Sequence, residues 1–177
     1  MSGDSRPAPP KYSLPEIERR WLVEASFVRS LEGVPYRDIE DLYVRGTQLR
    51  LRKVTAPNGQ VELKFCKKYG RSQGPAQAIT NLYLSPQEYE ALAALPGHVL
   101  RKRCHLYCGG ALDVYVGLPL AIFEVDFASE GEARRYVAPD FVGREVTGDR
   151  TCCGDILGIP VAYESATPGN GEVRRIE

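Results

Sequence analysis

The sequence predicts an α+β, mainly β fold: a closed eight-stranded antiparallel β-barrel with a few short flanking helices. Three observations carry this reading. About eight segments read as strands in mostly hairpin order. Several of them alternate charges of both signs with apolar residues. Only three short stretches read as helix. Closure removes the sheet edges and encloses the charged faces in a wet lumen, whereas several unpaired ions in a dry core would each cost several kcal/mol. The plainer alternative is an open sheet with a solvated charged face, and for any single strand that is the simpler account. Repetition on five strands weakens it.

Met1–Lys11 is rich in Pro and polar residues and is expected to be disordered. The first strand then runs to about Glu24, with Glu16, Glu18 and Arg20 on one face and Ile17, Trp21 and Val23 on the other. Ala25–Arg37 has no clear period and leaves room for a short helix. Asp38–Val44, Gln48–Val54 and Gln60–Lys67 read as strands, the last two joined where Asn58-Gly59 supplies the positive φ of a tight turn. A loop at Tyr69–Pro75 leads to a strand at Gln77–Leu84.

Ser85-Pro86-Gln87-Glu88 is a helix start, with Ser85 as cap, Pro86 in the first turn and Glu88 reaching back; this helix ends before Pro96-Gly97. Val99–Tyr107 and Ala111–Val116 form a hairpin around Gly109-Gly110, and Pro119–Ala128 is the most apolar strand. Ser129 and Glu132 repeat the cap logic for a helix over Ser129–Val137, and Arg150–Leu157 fits a short helix. Ile17, Trp21, Leu49, Leu51, Val61, Leu63, Phe65, Phe123, Val125 and Phe127 are left to pack outward. The domain is expected to span residues 12–158, between a disordered segment 1–11 and a poorly ordered tail 159–177.

At 177 residues the chain suits one well-cored domain. Its 23 Lys and Arg balance 23 Asp and Glu, so no overall field draws it to nucleic acid or a membrane, and phosphate recognition must be local. No apolar stretch suggests a membrane span, and Met1–Pro10 lacks an apolar signal core, so a cytoplasmic location is expected. The cysteines at 66, 104, 108, 152 and 153 contain no Cys-x-x-Cys and fit reduced thiols. A zinc site from Cys104, His105 and Cys108 is disfavoured, since a strand sends His105 to the face opposite its neighbours.

The charged stripes are the chemistry-bearing feature. Besides Glu16, Glu18 and Arg20 they comprise Arg50 and Arg52, Glu62 and Lys64, Arg101 and Arg103, and Glu124 and Asp126. Clustered carboxylates suit Mg²⁺ or Mn²⁺, and Arg and Lys suit phosphate oxygens. A polyphosphate with its metal satisfies both sets.

Glu16-Ile17-Glu18-Arg19-Arg20 resembles the Glu-x-Glu-x-Lys signature of the CYTH superfamily, the triphosphate tunnel metalloenzymes, which include thiamine triphosphatase-like proteins. The resemblance continues in order through Leu49-Arg50-Leu51-Arg52, Leu63-Lys64, Arg101-Lys102-Arg103, Leu112-Asp113-Val114, Glu124-Val125-Asp126 and the stretch Gly143–Asp149. It spans about Leu14 to Leu157, and the whole ordered set is far more specific than the opening signature. It implies an eight-stranded tunnel that binds a triphosphate substrate. Glu16, Glu18, Glu124 and Asp126 would hold Mg²⁺ or Mn²⁺; Arg50, Arg52, Lys64, Arg101 and Arg103 would hold phosphate. Asp113 would lie in the same lumen, near the metal or as an outer acceptor. Arg20 would take the position of the signature lysine and a catalytic part.

The implied activity is metal-dependent hydrolysis of a triphosphate, inorganic tripolyphosphate first, or thiamine or nucleoside triphosphates. A class IV-type adenylyl cyclase and a non-catalytic organic-phosphate or polyphosphate-binding module are the alternatives, and a homodimer fits the architecture. Departures from the pattern bear on activity. Arg20 cannot deprotonate, so any general-base role of that position is lost. Ile79-Thr80-Asn81 stands where a Glu-x-Glu is usual, and Ala111 where an acidic residue is common, so the wall carries fewer carboxylates for a second metal.

Overall fold

The computed structural model describes residues 9–70 and 75–157. The expectations for residues 1–8, 71–74 and 158–177 lie outside the described residues. The elements run β1 (Leu14–Val23), α1 (Ala25–Arg29), β2 (Arg37–Val44), β3 (Leu49–Thr55), β4 (Val61–Tyr69), β5 (Ala76–Tyr83), α2 (Pro86–Ala93), β6 (Gly97–Tyr107), β7 (Gly110–Tyr115), β8 (Ala121–Asp126), α3 (Glu130–Arg135) and β9 (Val142–Glu145), then a 3₁₀ turn at Arg150–Cys152. Every pairing is antiparallel, in the order β5-β4-β3-β2-β6-β7-β8-β1, and β5 returns to β1. The predicted eight-stranded closed barrel is the observed one, with β9 added.

Closure depends on β1 being shared. β8 runs along one edge of its second half, from Glu18↔Asp126 to Leu22↔Ile122. On the other edge β5 takes only Leu14–Ile17, and β9 takes the Trp21–Val23 end. A strand whose backbone groups would otherwise lie open thus has a partner along both edges. β9 was not expected from the sequence: four residues containing Gly143 give too short an alternation to read, and the strand exists because β5 leaves that edge of β1 free.

Two tight turns set the register. Gly59 takes φ +83° in the β3–β4 turn, as Asn58-Gly59 predicts. In the β6–β7 hairpin the turn residues are Cys108 (φ +46°) and Gly109 (φ +77°), with Tyr107 paired to Gly110. α2 starts as expected: Ser85 Oγ accepts from the Glu88 N–H at 3.3 Å, and a Glu88 carboxylate oxygen accepts from the Ser85 N–H at 2.7 Å. α3 is shorter than Ser129–Val137. Tyr136 turns extended, its ring 5.6 Å from Trp21 and 5.2 Å from Phe127, and its carbonyl accepts from Arg19 at 3.0 Å. Packing on β1 therefore ends that helix early.

The apolar residues split into two bodies. Outside the barrel, Trp21, Val23, Leu112, Phe123 and Val125 pack under α1 and the segment holding Tyr136 and Phe141. Inside one end, Leu100, Tyr115, Ile122, Val146 and Cys152 pack together with Leu22 and Tyr43. This second cluster plugs the end at which β1, β7 and the returning tail meet. Among the described residues, no helix is long and apolar enough to cross a membrane.

Gly97 shows how tightly the sheet is built. A Cβ there would lie 2.2 Å from the Tyr43 carbonyl oxygen across the β2–β6 pairing. Since that contact is with backbone, the strands must separate to relieve it. Gly97→Ala is expected to cost about 1–3 kcal/mol, read as a lowered melting temperature.

Candidate active site in the barrel lumen

Strand alternation places a charged set inside the barrel. β1 sends in Glu16, Glu18 and Arg20; its cross-strand partners on β8, Glu124 opposite Arg20 and Asp126 opposite Glu18, share that face. β3 sends in Arg50 and Arg52, and their partners Cys66 and Lys64 place the inward face of β4, which continues to Lys68. β2 contributes Asp41 and Tyr43, opposite Arg52 and Arg50. Most of these line one cavity of about 200 Å³, together with Tyr115 and a mouth formed by Thr47, Gln48, Gly70, Pro75, Thr147, Gly148 and Arg150.

β6 differs from the expectation. Arg101 and Arg103 were assigned to the phosphate site, yet both lie on the outer face. Arg101 is 64% exposed in its side chain and pairs with Glu40 at 2.7 Å; the Arg103 guanidinium sits 5.0 Å from the Tyr36 ring centroid. The inward residue is Lys102, which pairs with Asp113. The register is off by one because Asp113 faces Cys104 across the hairpin and Tyr115 faces Lys102, so even-numbered residues of β6 share the inward face with odd-numbered residues of β7. Asp113 had already been assigned to the lumen. With a two-residue turn at Cys108-Gly109, that assignment alone requires Lys102 and excludes its neighbours.

Three further lining residues, Lys68, Tyr43 and Tyr115, escaped the sequence reading, as did Asp41, which is buried behind Arg50 and Arg52. Lys68 is found by continuing the period of two from Lys64 through Cys66. Asp41 carried no signal beyond the alternation Ile39-x-Asp41-x-Tyr43. Lys64 faces inward but stands apart from the cavity lining, paired with Glu62 at 2.7 Å and under the Tyr83 ring.

The electrostatics divide the lumen into a carboxylate corner and a cationic wall. Ligand oxygens of Glu18, Glu124 and Asp126 all lie within 4.8 Å of one another. Burial, then the neighbouring Glu124, pushes the Glu18 carboxyl up to about 7. Burial and Glu124 also raise Asp126. Burial works against the charge of Glu124 too, but Lys102, Arg20 and Lys68 outweigh it and hold that carboxyl below its usual range. Glu16 stands beside this corner, paired with Lys68 at 2.5 Å.

On the cationic wall, burial weakens the hold of Lys102 on its proton, yet Asp113 more than restores it. Arg20 behaves alike beside Glu124, its Nε 3.3 Å from the carboxylate. Arg20 also donates from Nη2 to the Cys152 carbonyl at 2.9 Å, tying the returning tail to the lumen. The Arg50 side chain is largely buried, and among the described residues its buried Nε has no hydrogen-bond acceptor.

A buried guanidinium nitrogen without an acceptor and three crowded carboxylates are each costly alone. An anion bearing several oxygens would satisfy the first and a divalent cation the second. The donor set is all oxygen, which suits Mg²⁺ or Mn²⁺ rather than a soft metal.

No protein-family model matches the chain. It is similar to an inorganic triphosphatase of Nitrosomonas europaea, with 29% identity over 168 residues covering 82% of this chain and 98% of that protein. A crystal structure of an inorganic triphosphatase aligns with a TM-score of 0.49 and 22% identity, over 82% of this chain and 95% of that one. A second crystal structure, of a hypothetical protein, aligns with a TM-score of 0.48 and 25% identity, over 80% and 96%.

Proposed function

We propose that this protein is a divalent-metal-dependent triphosphatase of the triphosphate tunnel type, with inorganic tripolyphosphate as its first substrate. The observation that carries the reading is the meeting of a three-carboxylate corner, Glu18 and Glu124 in the lumen with the exposed Asp126 at its edge, and a wall of five lumen cations: Arg20, Arg50, Arg52, Lys68 and Lys102. Similarity to a protein named inorganic triphosphatase along nearly that protein's whole length supports the same substrate class.

In this reading Glu18, Glu124 and Asp126 hold Mg²⁺ or Mn²⁺, with Glu16 beside them. The bound ion supplies Lewis-acid neutralisation of phosphoryl oxygens. Arg50, Arg52, Lys68 and Lys102 bind the remaining oxygens and stabilise charge that spreads over them during in-line attack. Because Lys68 and Lys102 are already paired with Glu16 and Asp113 before substrate arrives, little reorganisation of these two is needed at the moment of reaction. Arg20 stays protonated at every working pH, so it orients and neutralises rather than accepting a proton. The plug of Leu100, Tyr115, Ile122 and Val146 closes one side of the cavity to bulk water.

Phosphate release should be measured with Mg²⁺ and with Mn²⁺ on tripolyphosphate, ATP and thiamine triphosphate. Metal-stimulated release, fastest on tripolyphosphate, is expected. Tight tripolyphosphate binding with no release under either metal would leave a binding module; cyclic AMP from ATP would mark a cyclase.

A further inference from the structure

Asp41 is a lumen charge that neither metal binding nor phosphate binding calls for. It sits on the inward face of β2 and is 1% exposed. Its carboxylate accepts two hydrogen bonds from Arg52, from Nε at 2.6 Å and Nη2 at 2.7 Å, and lies 3.7 Å from Arg50 Nε. Burial opposes this charge, but Arg50 and then Arg52 outweigh it and hold the carboxyl down to about 2. Asp41 is therefore ionised at any working pH, behind two arginines that face the cavity.

Arg50 and Arg52 stand two residues apart on one face of β3, so their like charges repel within an enclosed space, each on a long side chain with several rotatable bonds. Without an anion behind them they would splay. With it, the Arg52 fork is fixed through both contacts, and the Arg50 Nε is left enclosed and free to donate.

We propose that Asp41 is a positioning residue that fixes Arg50 and Arg52 as a pre-aimed pair, so that a triphosphate meets two ordered guanidinium groups rather than two mobile ones. The role rests on reading the lumen as a triphosphate site. Its consequence has a distinctive sign. Asp41→Asn removes a negative charge from the lumen, and by Coulomb attraction alone the polyanion should then bind more tightly. If Asp41 acts by positioning, binding weakens in spite of that gain.

The test measures tripolyphosphate affinity by calorimetry, together with KM, kcat and melting temperature, for wild type, Asp41→Asn and Asp41→Glu. Asp41→Asn is expected to weaken binding about tenfold and to raise KM. Asp41→Glu keeps the charge but displaces it by one methylene, and should fall between the two. In an Arg52→Gln background, Asp41→Asn should add little, because its main contact is already gone. A folded Asp41→Asn protein that binds as tightly as wild type, or more tightly, overturns the role. So does Asp41→Glu at full wild-type affinity, which decides the matter if Asp41→Asn does not fold. Wild-type protein that binds no tripolyphosphate overturns the reading of the lumen itself, and this role with it.

Discussion

Glu18→Gln is expected to remove metal-stimulated turnover, by about a hundredfold to a thousandfold, and at the same time to stabilise the metal-free protein above neutral pH. The first effect follows from losing one of three clustered metal ligands, since Lewis-acid neutralisation contributes several kcal/mol and each 1.4 kcal/mol is about tenfold in rate. The second has a separate cause. In the folded chain burial and Glu124 push the Glu18 carboxyl up to about 7, from an ordinary 4.5. As pH rises from about 4.5 through 7, the unfolded chain releases this proton while the folded chain still holds it, and unfolding is favoured. Above 7 the full penalty is present, on the order of 3 kcal/mol for a shift of this size. Glutamine carries no such penalty.

Melting curves in chelator at pH 5.5 and pH 8 test the stability effect, and phosphate release in Mg²⁺ tests the rate. Wild type should lose stability between those pH values, Glu18→Gln much less, and added metal should restore the wild type most at pH 8, where no proton need be displaced. A Glu18→Gln protein with its full metal-stimulated rate would remove this residue from the metal site. Identical pH dependence in the two proteins would assign the raised carboxyl elsewhere.

How much of this was legible in the sequence depends on which periodicity carried it. Strands flanked by clear turns, such as β3, β4 and β7, were found within a residue or two, because hairpin chemistry and alternation agree there. On β1, β3 and β8 the charged residues also identified the inward face, since their neighbours Trp21, Leu51, Phe123 and Val125 are apolar and must pack outside. β6 offered no such contrast. Leu100-Arg101-Lys102-Arg103 has cations on both faces, and two arginines outvoted one lysine although hairpin parity with Asp113 favoured the lysine. Asp113 was placed in the lumen but its partner Lys102 was not, and Asp41 was harder to place because its role is defined by arginines on another strand. The tail was least legible: β9 is fixed by the free edge of β1, a long-range pairing, and the helix expected over Arg150–Leu157 is only a 3₁₀ turn at Arg150–Cys152, held by the Arg20 contact to Cys152.

Adjacent substitutions on β6 should therefore give opposite results. Arg101→Ala removes an exposed side chain paired, among the described residues, with Glu40, and is expected to change stability by no more than about 0.5 kcal/mol and tripolyphosphate affinity little. Lys102→Met keeps most of the volume but leaves Asp113, 3% exposed, without its cation. Breaking a buried pair from one side costs about 3–5 kcal/mol, and loss of a lumen cation should weaken tripolyphosphate about tenfold as well. Adding Asp113→Asn removes the orphaned charge and should restore much of the stability at pH 8, while the affinity stays low because the cation is still missing. Stability and affinity would then separate within one pair of variants. Equal, small effects of Arg101→Ala and Lys102→Met would place neither residue in the lumen and would overturn the register on which the cationic wall rests.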